Sequence, residues 1–148
     1  EDWEQMIWYM TSIEALLGAR GEELTERIAK RLSILTGKDK NEGKMIKRRF
    51  KELYNVRSDL VHGNKIDKAR LDLCGDYAGD AFEYARKVAL WYINFLFSIA
   101  ERLPKENGII QFPKREMILK LIDMDRSERS QMKDIFEFLP DSFPNNND

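Results

Sequence analysis

Apolar residues recur every three or four positions along most of this chain, and glycines stand where the repeats stop. This spacing puts the apolar residues on one face of a helix, whereas a half-buried strand would show strict alternation between turn dipeptides, which no run does. The sequence therefore predicts an all-α fold. With 148 residues, 43% of them hydrophobic, the chain is long enough for one compact domain with its own core.

The repeats define four long helical segments. They are predicted over about 2–17, 22–35, 44–62 and 67–103. Gly18, Gly37 and Gly63 would end the first three, because glycine readily adopts the left-handed conformation that closes many helices.

The connections and the fourth segment are less regular. Residues 38–43 are polar and are predicted to form a loop, and the fourth segment is expected to loosen near Cys74-Gly75 and near Gly79. Past Val88 this segment is apolar nearly all round. We therefore expect it at the centre of the fold or between two copies of it.

The character of the chain changes after Pro104. Residues 1–104 are predicted to form a helical bundle, and residues 105–148 a short helical C-terminal extension packed on it. The extension is predicted to hold an extended run over 109–113, short helices near 114–122 and 127–138, and a disordered tail from about 145.

Charge and composition argue against several classes of function. The 25 basic residues nearly cancel the 26 acidic ones, so an anionic ligand would need a local patch. The single cysteine, Cys74, excludes an internal disulfide and fits a cytoplasmic location. The most apolar stretch, 88–100, is shorter than the about 20 residues that span a bilayer, so no membrane is expected. The chain has one histidine and no acidic residues at the spacing of a metal-ligand set, so neither a metal site nor a cofactor is predicted.

Two charged residues interrupt apolar helix faces. Arg57 falls in the middle of a stripe on the third segment, and Glu14 lies near the centre of a stripe on the first. Burying an unpaired guanidinium is costly, so Arg57 needs a partner. We predict a hydrogen-bonded pair between the two side chains. The stripe around Arg57 consists of Ile46, Phe50, Leu53, Leu60 and Val61.

His62, the single histidine, follows Arg57 by five residues. That interval separates two side chains by about 140° on a regular helix, so they would converge only if the helix unwinds at Gly63 or a second subunit brings in its own copy. Tyr54 and Ser58 would border such a cleft. Histidine exchanges protons near neutrality and arginine holds phosphate oxygens, which suits phosphodiester chemistry. The alternative is an ordinary helix cap beside a structural ion pair.

The run Tyr54-x-x-Arg57-Ser58-x-x-Val61-His62-Gly63 resembles the R-x(4–6)-H motif of HEPN domains in its Apea-like form, and the helix order over about residues 5–103 agrees with it. The resemblance implies an up-and-down helical bundle, commonly a homodimer. It also implies a metal-independent endoribonuclease, as found in toxin and anti-phage systems. Carried over, Arg57 would bind the scissile phosphate, and His62 would act as general base or acid when the ribose 2′-hydroxyl attacks.

The resemblance also implies partners. RNA would be the substrate. Lys47, Arg48 and Lys51, in the basic run of the third helix, are candidates for the patch that binds it, and the alternative is that this run is a solvated helix face. The toxin systems named above imply an antitoxin as a further partner. The chain begins with Glu1 rather than Met, so additional domains of a longer protein are also expected. The alternative is a non-catalytic HEPN module for dimerisation, regulation or nucleotide binding.

Overall fold

The computed structural model describes residues 2–125 and 127–128, and within them the chain is an all-α helical bundle, as the periodicity predicts. A single 3₁₀ turn, Ala100–Arg102, follows the longest helix directly. Two-residue strands β1 (Lys105–Glu106) and β2 (Ile109–Ile110) then pair as an antiparallel hairpin. The helices are α1 Asp2–Leu17, α2 Leu24–Thr36, α3 Lys40–Val61, α4 Lys68–Asp72, α5 Cys74–Ile99 and α6 Arg115–Asp123.

Helix α3 begins inside the segment that was predicted to be a loop. The carboxylate of Asp39 accepts the backbone N–H groups of Asn41 and Glu42 at 2.8 and 2.9 Å, and so caps the first turn. The loop predicted over 38–43 is therefore wrong beyond Asp39, because an aspartate cap allows the polar residues after it to be helical.

The fourth segment is predicted to loosen at two places, and the structure shows a break between helices at only one of them, near Cys74-Gly75. Helix α4 ends at Asp72 and α5 starts at Cys74, with Leu73 between them. Gly79 lies inside α5, so the loosening predicted there is wrong. A single glycine lowers helix stability by only about 1 kcal/mol, which the packing of the surrounding helix offsets.

Helix α1 lies along α5, and their contact extends over the length of α1. Near one end, the rings of Trp3 and Tyr77 are 6.2 Å apart, and near the other, the Tyr92 hydroxyl donates to the backbone oxygen of Leu16 at 2.7 Å. These helices share one core with α2 and α3. Its residues from the first three helices are Met6, Met10, Ile13, Leu17, Ile28, Ala29, Leu32, Ile46, Phe50, Leu53 and Val56.

The buried face of α3 is turned from its predicted position. It is centred nearer Leu53 than Phe50, a difference of about 60° around the helix. As a result, Val56 is fully buried, whereas Val61, predicted to lie in the stripe, is 57% exposed. Arg57 consequently lies off the centre of the buried face and keeps part of its side chain in contact with solvent.

Helix α5 buries one face and exposes the other. Val88, Tyr92 and Phe95 lie in the core. On the outer face Leu90 is 44%, Ile93 49% and Phe97 77% exposed. The apolar residues on the two faces of α5 therefore have different environments. Those on the inner face lie in the core, and those on the outer face form an apolar surface that faces solvent.

Helix α6 packs on the bundle through four buried aliphatic residues and a buried arginine of α2. Arg31 is only 1% exposed, and all five of its N–H groups donate. They bond both carboxylate oxygens of Glu22, both of Asp123 and the backbone oxygen of Leu17, at 2.6 to 2.9 Å. We call this set the Arg31 clamp. The four aliphatic residues are Ile118, Leu119, Leu121 and Ile122.

The clamp shifts the pKa values of Arg31 and Glu22. Burial alone lowers the pKa of Arg31, but the hydrogen bonds to Asp123 and Glu22 outweigh it and raise that pKa above its ordinary value. The hydrogen bond from Arg31 likewise lowers the pKa of Glu22. Both shifts favour the charged forms, so the clamp is a persistent ion cluster that joins α1, α2 and α6.

Two predicted features of the extension fall beyond this description. Apart from residues 127–128, the second short helix predicted near 127–138 lies outside the described residues, as does the tail predicted from about 145. Of the helices that the structure describes, none is long and apolar enough to cross a membrane.

Candidate active site around Arg57

The predicted pair between Glu14 and Arg57 is present and joins α1 to α3. Nη1 of Arg57 donates to Oε1 of Glu14 at 2.8 Å, and Nη2 donates to Oε2 at 3.1 Å. The side chain of Arg57 is 21% exposed and that of Glu14 is 20% exposed. A bidentate carboxylate fixes the plane of the guanidinium, so α1 determines the direction in which Arg57 faces.

Arg57 has N–H groups without partners among the described residues, whereas every N–H group of the Arg31 guanidinium is hydrogen-bonded. Only two of the N–H groups of Arg57 have partners among the described residues, and its Nε, although buried, has none. An unsatisfied buried donor costs about 1–3 kcal/mol and requires an explanation. The combination of a fixed plane, partial exposure and spare donors is what an anion-binding guanidinium needs, whereas Arg31 is saturated by its own chain.

Tyr54 lies beside this arginine, one turn earlier on α3. The guanidinium carbon of Arg57 is 5.8 Å from the centre of the Tyr54 ring, which in turn packs on Phe50 at 6.3 Å between ring centres. The ring thus forms one wall next to the guanidinium. Ser58, the other predicted border residue, is partly buried.

His62 lies at the C-terminal cap of α3 with its side chain exposed. Its backbone N–H donates to the Ser58 oxygen at 3.0 Å, so the helix continues to this point without unwinding. Gly63 follows with φ of +68°, a conformation that favours glycine, and closes the helix. His62 and Arg57 therefore stay about 140° apart around α3, and this chain alone does not bring them together.

A second ion pair holds the turn after His62. The Asp59 carboxylate accepts from Arg70 at 2.8 Å and from the Asn64 amide at 3.0 Å. The Asn64 hydrogen bond, followed by those of Arg70 and the charge of His62, lowers the pKa of Asp59. Sequence reasoning missed this support because periodicity indicates the buried face of a helix and not which residues of other segments its polar side chains contact.

The basic run on α3 divides into inward and outward members. Arg49 turns inward, donating to Asp80 at 2.6 Å and to Glu52 at 2.9 Å. Lys47 and Arg48 are exposed, and no ion pair links them to a carboxylate in the described part of the chain. Lys51 also faces outward but pairs with Glu26 of α2.

An open cleft of about 290 Å³ is lined in part by Glu14. It lies where α1 turns into α2, and Arg20 and Arg115 stand on its walls. Arg57 does not line it, so this cleft is separate from the guanidinium's exposed side. Among the described residues, no three His, Cys, Asp or Glu side chains group as metal ligands would.

These contacts bring Glu14, Tyr54 and Arg57 together and leave His62 on another side of the same helix. Comparison of the chain with protein-family models, with curated proteins and with solved structures finds no match.

Proposed function

We propose that this chain is a HEPN-type, metal-independent endoribonuclease domain, of the kind that serves in toxin or anti-phage systems. The observation that supports it best is the guanidinium of Arg57, which Glu14 holds in plane while one N–H on each of Nη1 and Nη2 has no partner among the described residues. In a compact bundle, an arginine left unsaturated at a partly exposed position is suited to holding a phosphate.

The proposed reaction uses the RNA's own 2′-hydroxyl. Its oxygen attacks the adjacent phosphorus, the bond from phosphorus to the 5′-oxygen breaks, and a 2′,3′-cyclic phosphate and a 5′-hydroxyl result. His62 takes the proton from the nucleophile or gives one to the leaving oxygen, and Arg57 stabilises the charge on the phosphate oxygens. Tyr54 and Ser58 border the substrate, and neither metal nor cofactor takes part.

A homodimer is part of this proposal, because one chain holds Arg57 and His62 on different sides of α3. A second copy related by a two-fold axis would present its histidine and arginine to the same cleft. The outer face of α5, with Leu90, Ile93 and Phe97 exposed, offers an apolar surface for that copy. An antitoxin or further domains of a longer protein remain proposed partners.

Replacing His62 by Ala is expected to lower RNA cleavage by about a hundredfold or more, since a positioned acid or base contributes about 10²–10⁴. The assay uses labelled single-stranded RNA in excess EDTA, with cyclic-phosphate ends as the product. The thermal midpoint should stay unchanged because the side chain is exposed. If the variant still cleaves RNA, His62 is not part of the active site. If the folded wild-type protein does not cleave RNA, the proposal that the chain is a ribonuclease is wrong.

Replacing Phe97 by Asp is expected to convert a dimer into a monomer with little change in the stability of each protomer. The side chain is 77% exposed in a single chain, so its loss costs little folding energy, whereas a charge would be unpaired in an apolar interface. Sedimentation velocity on both proteins measures the change. Substitution of Met45, 69% exposed on α3, is the matched control. An unaltered dimer would place the interface elsewhere.

The second candidate is a non-catalytic dimerisation, regulatory or nucleotide-binding module. It is favoured by the outward position of His62 and by the occupation of two Arg57 donors by Glu14. Under this candidate the pair is structural, and its removal should act on stability alone.

A further inference from the structure

The outward face of α3 carries a continuous polar row that ends at His62. At about 100° per residue, its members lie within about 100° of one another around the helix. Every member is exposed or partly exposed. With a rise of about 1.5 Å per residue, the row is about 33 Å long. We call it the α3 track, and it consists of Lys40, Lys44, Lys47, Arg48, Lys51, Asn55, Ser58 and His62.

The positive charge of the α3 track is largely uncompensated within the described residues. Lys40, Lys44, Lys47 and Arg48 form no ion pair with any described carboxylate, and only Lys51 does, with Glu26. That pair is half-exposed on both sides, where ion pairs contribute little. In a chain with a formal net charge of −1, such a row is a local departure from neutrality.

The carboxylates of α3 itself are bound to other groups. Glu42 accepts the backbone N–H of Lys38 at 2.8 Å. Glu52 accepts from Arg49 and from the Tyr77 hydroxyl. Asp59 binds Arg70 and Asn64, as described above. None of these three lies within the α3 track, so the cations of the row are left to face solvent.

The cations are spaced at intervals that a nucleic-acid backbone can follow. Successive positions at 40, 44, 47–48 and 51 lie about 5–6 Å apart along the helix axis. This is a single row, one helix wide. Double-stranded RNA is bound by contacts to both strands across its grooves, whereas one row of cations reaches the phosphates of one strand.

We propose that the α3 track binds the backbone of one RNA strand over about four phosphates and leads the scissile phosphodiester to His62 at its end. This inference rests on the proposed function and adds the substrate class, single-stranded RNA, and the direction of approach. The track carries no aromatic side chain on which a base could stack. Binding is therefore through phosphates and without preference among bases.

The test measures binding separately from cleavage. Fluorescently labelled 2′-O-methyl oligouridine and oligoadenosine, which lack the nucleophile, are titrated with protein at several salt concentrations. Four phosphate contacts predict that log K falls with log salt with a slope of about −2.8. Replacing Lys44, Lys47 and Arg48 together by Gln leaves the contacts of Lys40 and Lys51, so it should reduce the slope to about −1.4 and weaken binding about 25-fold at about 0.1 M salt.

A matched variant controls for net charge. Lys87, Lys105 and Lys120 are exposed lysines on α5, β1 and α6, away from the track. Replacing these three by Gln removes the same charge and should change affinity by no more than about twofold, because distant exposed charges are screened. Equal losses in both triple variants, absence of binding by the wild type, or tighter binding of duplex than of single strands would each overturn the proposal.

The two proposals fail in different ways. If the track variant loses binding while unmodified RNA is bound but never cut by the wild type, the track stands and the ribonuclease is rejected. If the wild type cuts RNA and the track variant cuts it equally well, the ribonuclease stands and the track is rejected.

Discussion

Replacing Arg31 by Met is expected to lower the free energy of unfolding by about 3–5 kcal/mol, the largest stability change of any single substitution proposed for this chain. The guanidinium is only 1% exposed and supplies all five donors of the Arg31 clamp. Its loss leaves two carboxylates, Glu22 and Asp123, close together without a cation. It also leaves the Leu17 carbonyl without its donor. Equilibrium denaturation in urea measures the change.

The control for this prediction is Arg86→Met. Arg86 also pairs with a carboxylate, Glu83, but both side chains are nearly half exposed, so the expected loss is below about 1 kcal/mol. A triple variant with Arg31→Met, Glu22→Gln and Asp123→Asn should recover part of the lost stability, because no uncompensated charge remains. A loss below about 1 kcal/mol for Arg31→Met would contradict the structural role of the clamp.

Acid provides a second readout of the same clamp. Glu22 has a lowered pKa in the folded chain, first because of its hydrogen bond from Arg31. The unfolded carboxyl binds its proton at a higher pH than the folded one. Its contribution to stability is therefore complete above the ordinary pKa of 4.5 and is lost as the pH falls through the folded value. In Arg31→Met this part of the pH dependence should disappear from the unfolding curves.

Replacing Arg57 by Ala is expected to lower RNA cleavage by at least about a thousandfold while lowering stability by no more than about 2 kcal/mol. The guanidinium holds the phosphate in the proposed reaction, so its loss removes stabilisation of the transition state, and kcat should fall more than KM rises. The stability cost is moderate because Arg57 is 21% exposed and makes two hydrogen bonds, whereas Arg31 is 1% exposed and makes five. Single-turnover cleavage and urea denaturation are measured on the same preparation.

Arg57→Lys separates the two candidate functions further. Lysine keeps the charge but cannot bond a carboxylate and a phosphate through a planar fork, so cleavage should remain low while stability largely returns. If Arg57→Ala instead destabilises the chain as strongly as Arg31→Met, the pair is structural. The non-catalytic module would then be the better description.

Helix periodicity was sufficient for α1 and for the Glu14–Arg57 contact. Both residues interrupt apolar faces, and two opposite charges on the apolar faces of neighbouring helices have few other partners. Arg31 carries a weaker form of this signal, since on the wheel of α2 it lies at the edge of the apolar stripe of Leu24, Ile28 and Leu32, about 20° from Leu24. It was missed because its partner Asp123 lies 92 residues away, and periodicity says nothing about such distances.

The angle between His62 and Arg57 around α3 was predictable from the sequence, but whether the two side chains converge was not. The 140° estimate follows from helix geometry alone. Whether the helix would unwind depended on Gly63 and on the loop contacts of Asp59 with Asn64 and Arg70, which hold the last turn. Those contacts arise from tertiary packing, so the sequence left both routes to convergence open.

The Arg31 clamp also determines where the chain can be truncated without loss of the fold. A protein cut after Pro104 would keep every residue of the proposed active site, yet would lose Asp123 and the four aliphatic residues with which α6 fills the core. Arg31 would remain beneath the vacated surface with one carboxylate partner instead of two. Any truncated version made for assay or crystallisation should therefore extend past Asp123, since activity lost by an earlier cut would report on folding rather than on chemistry.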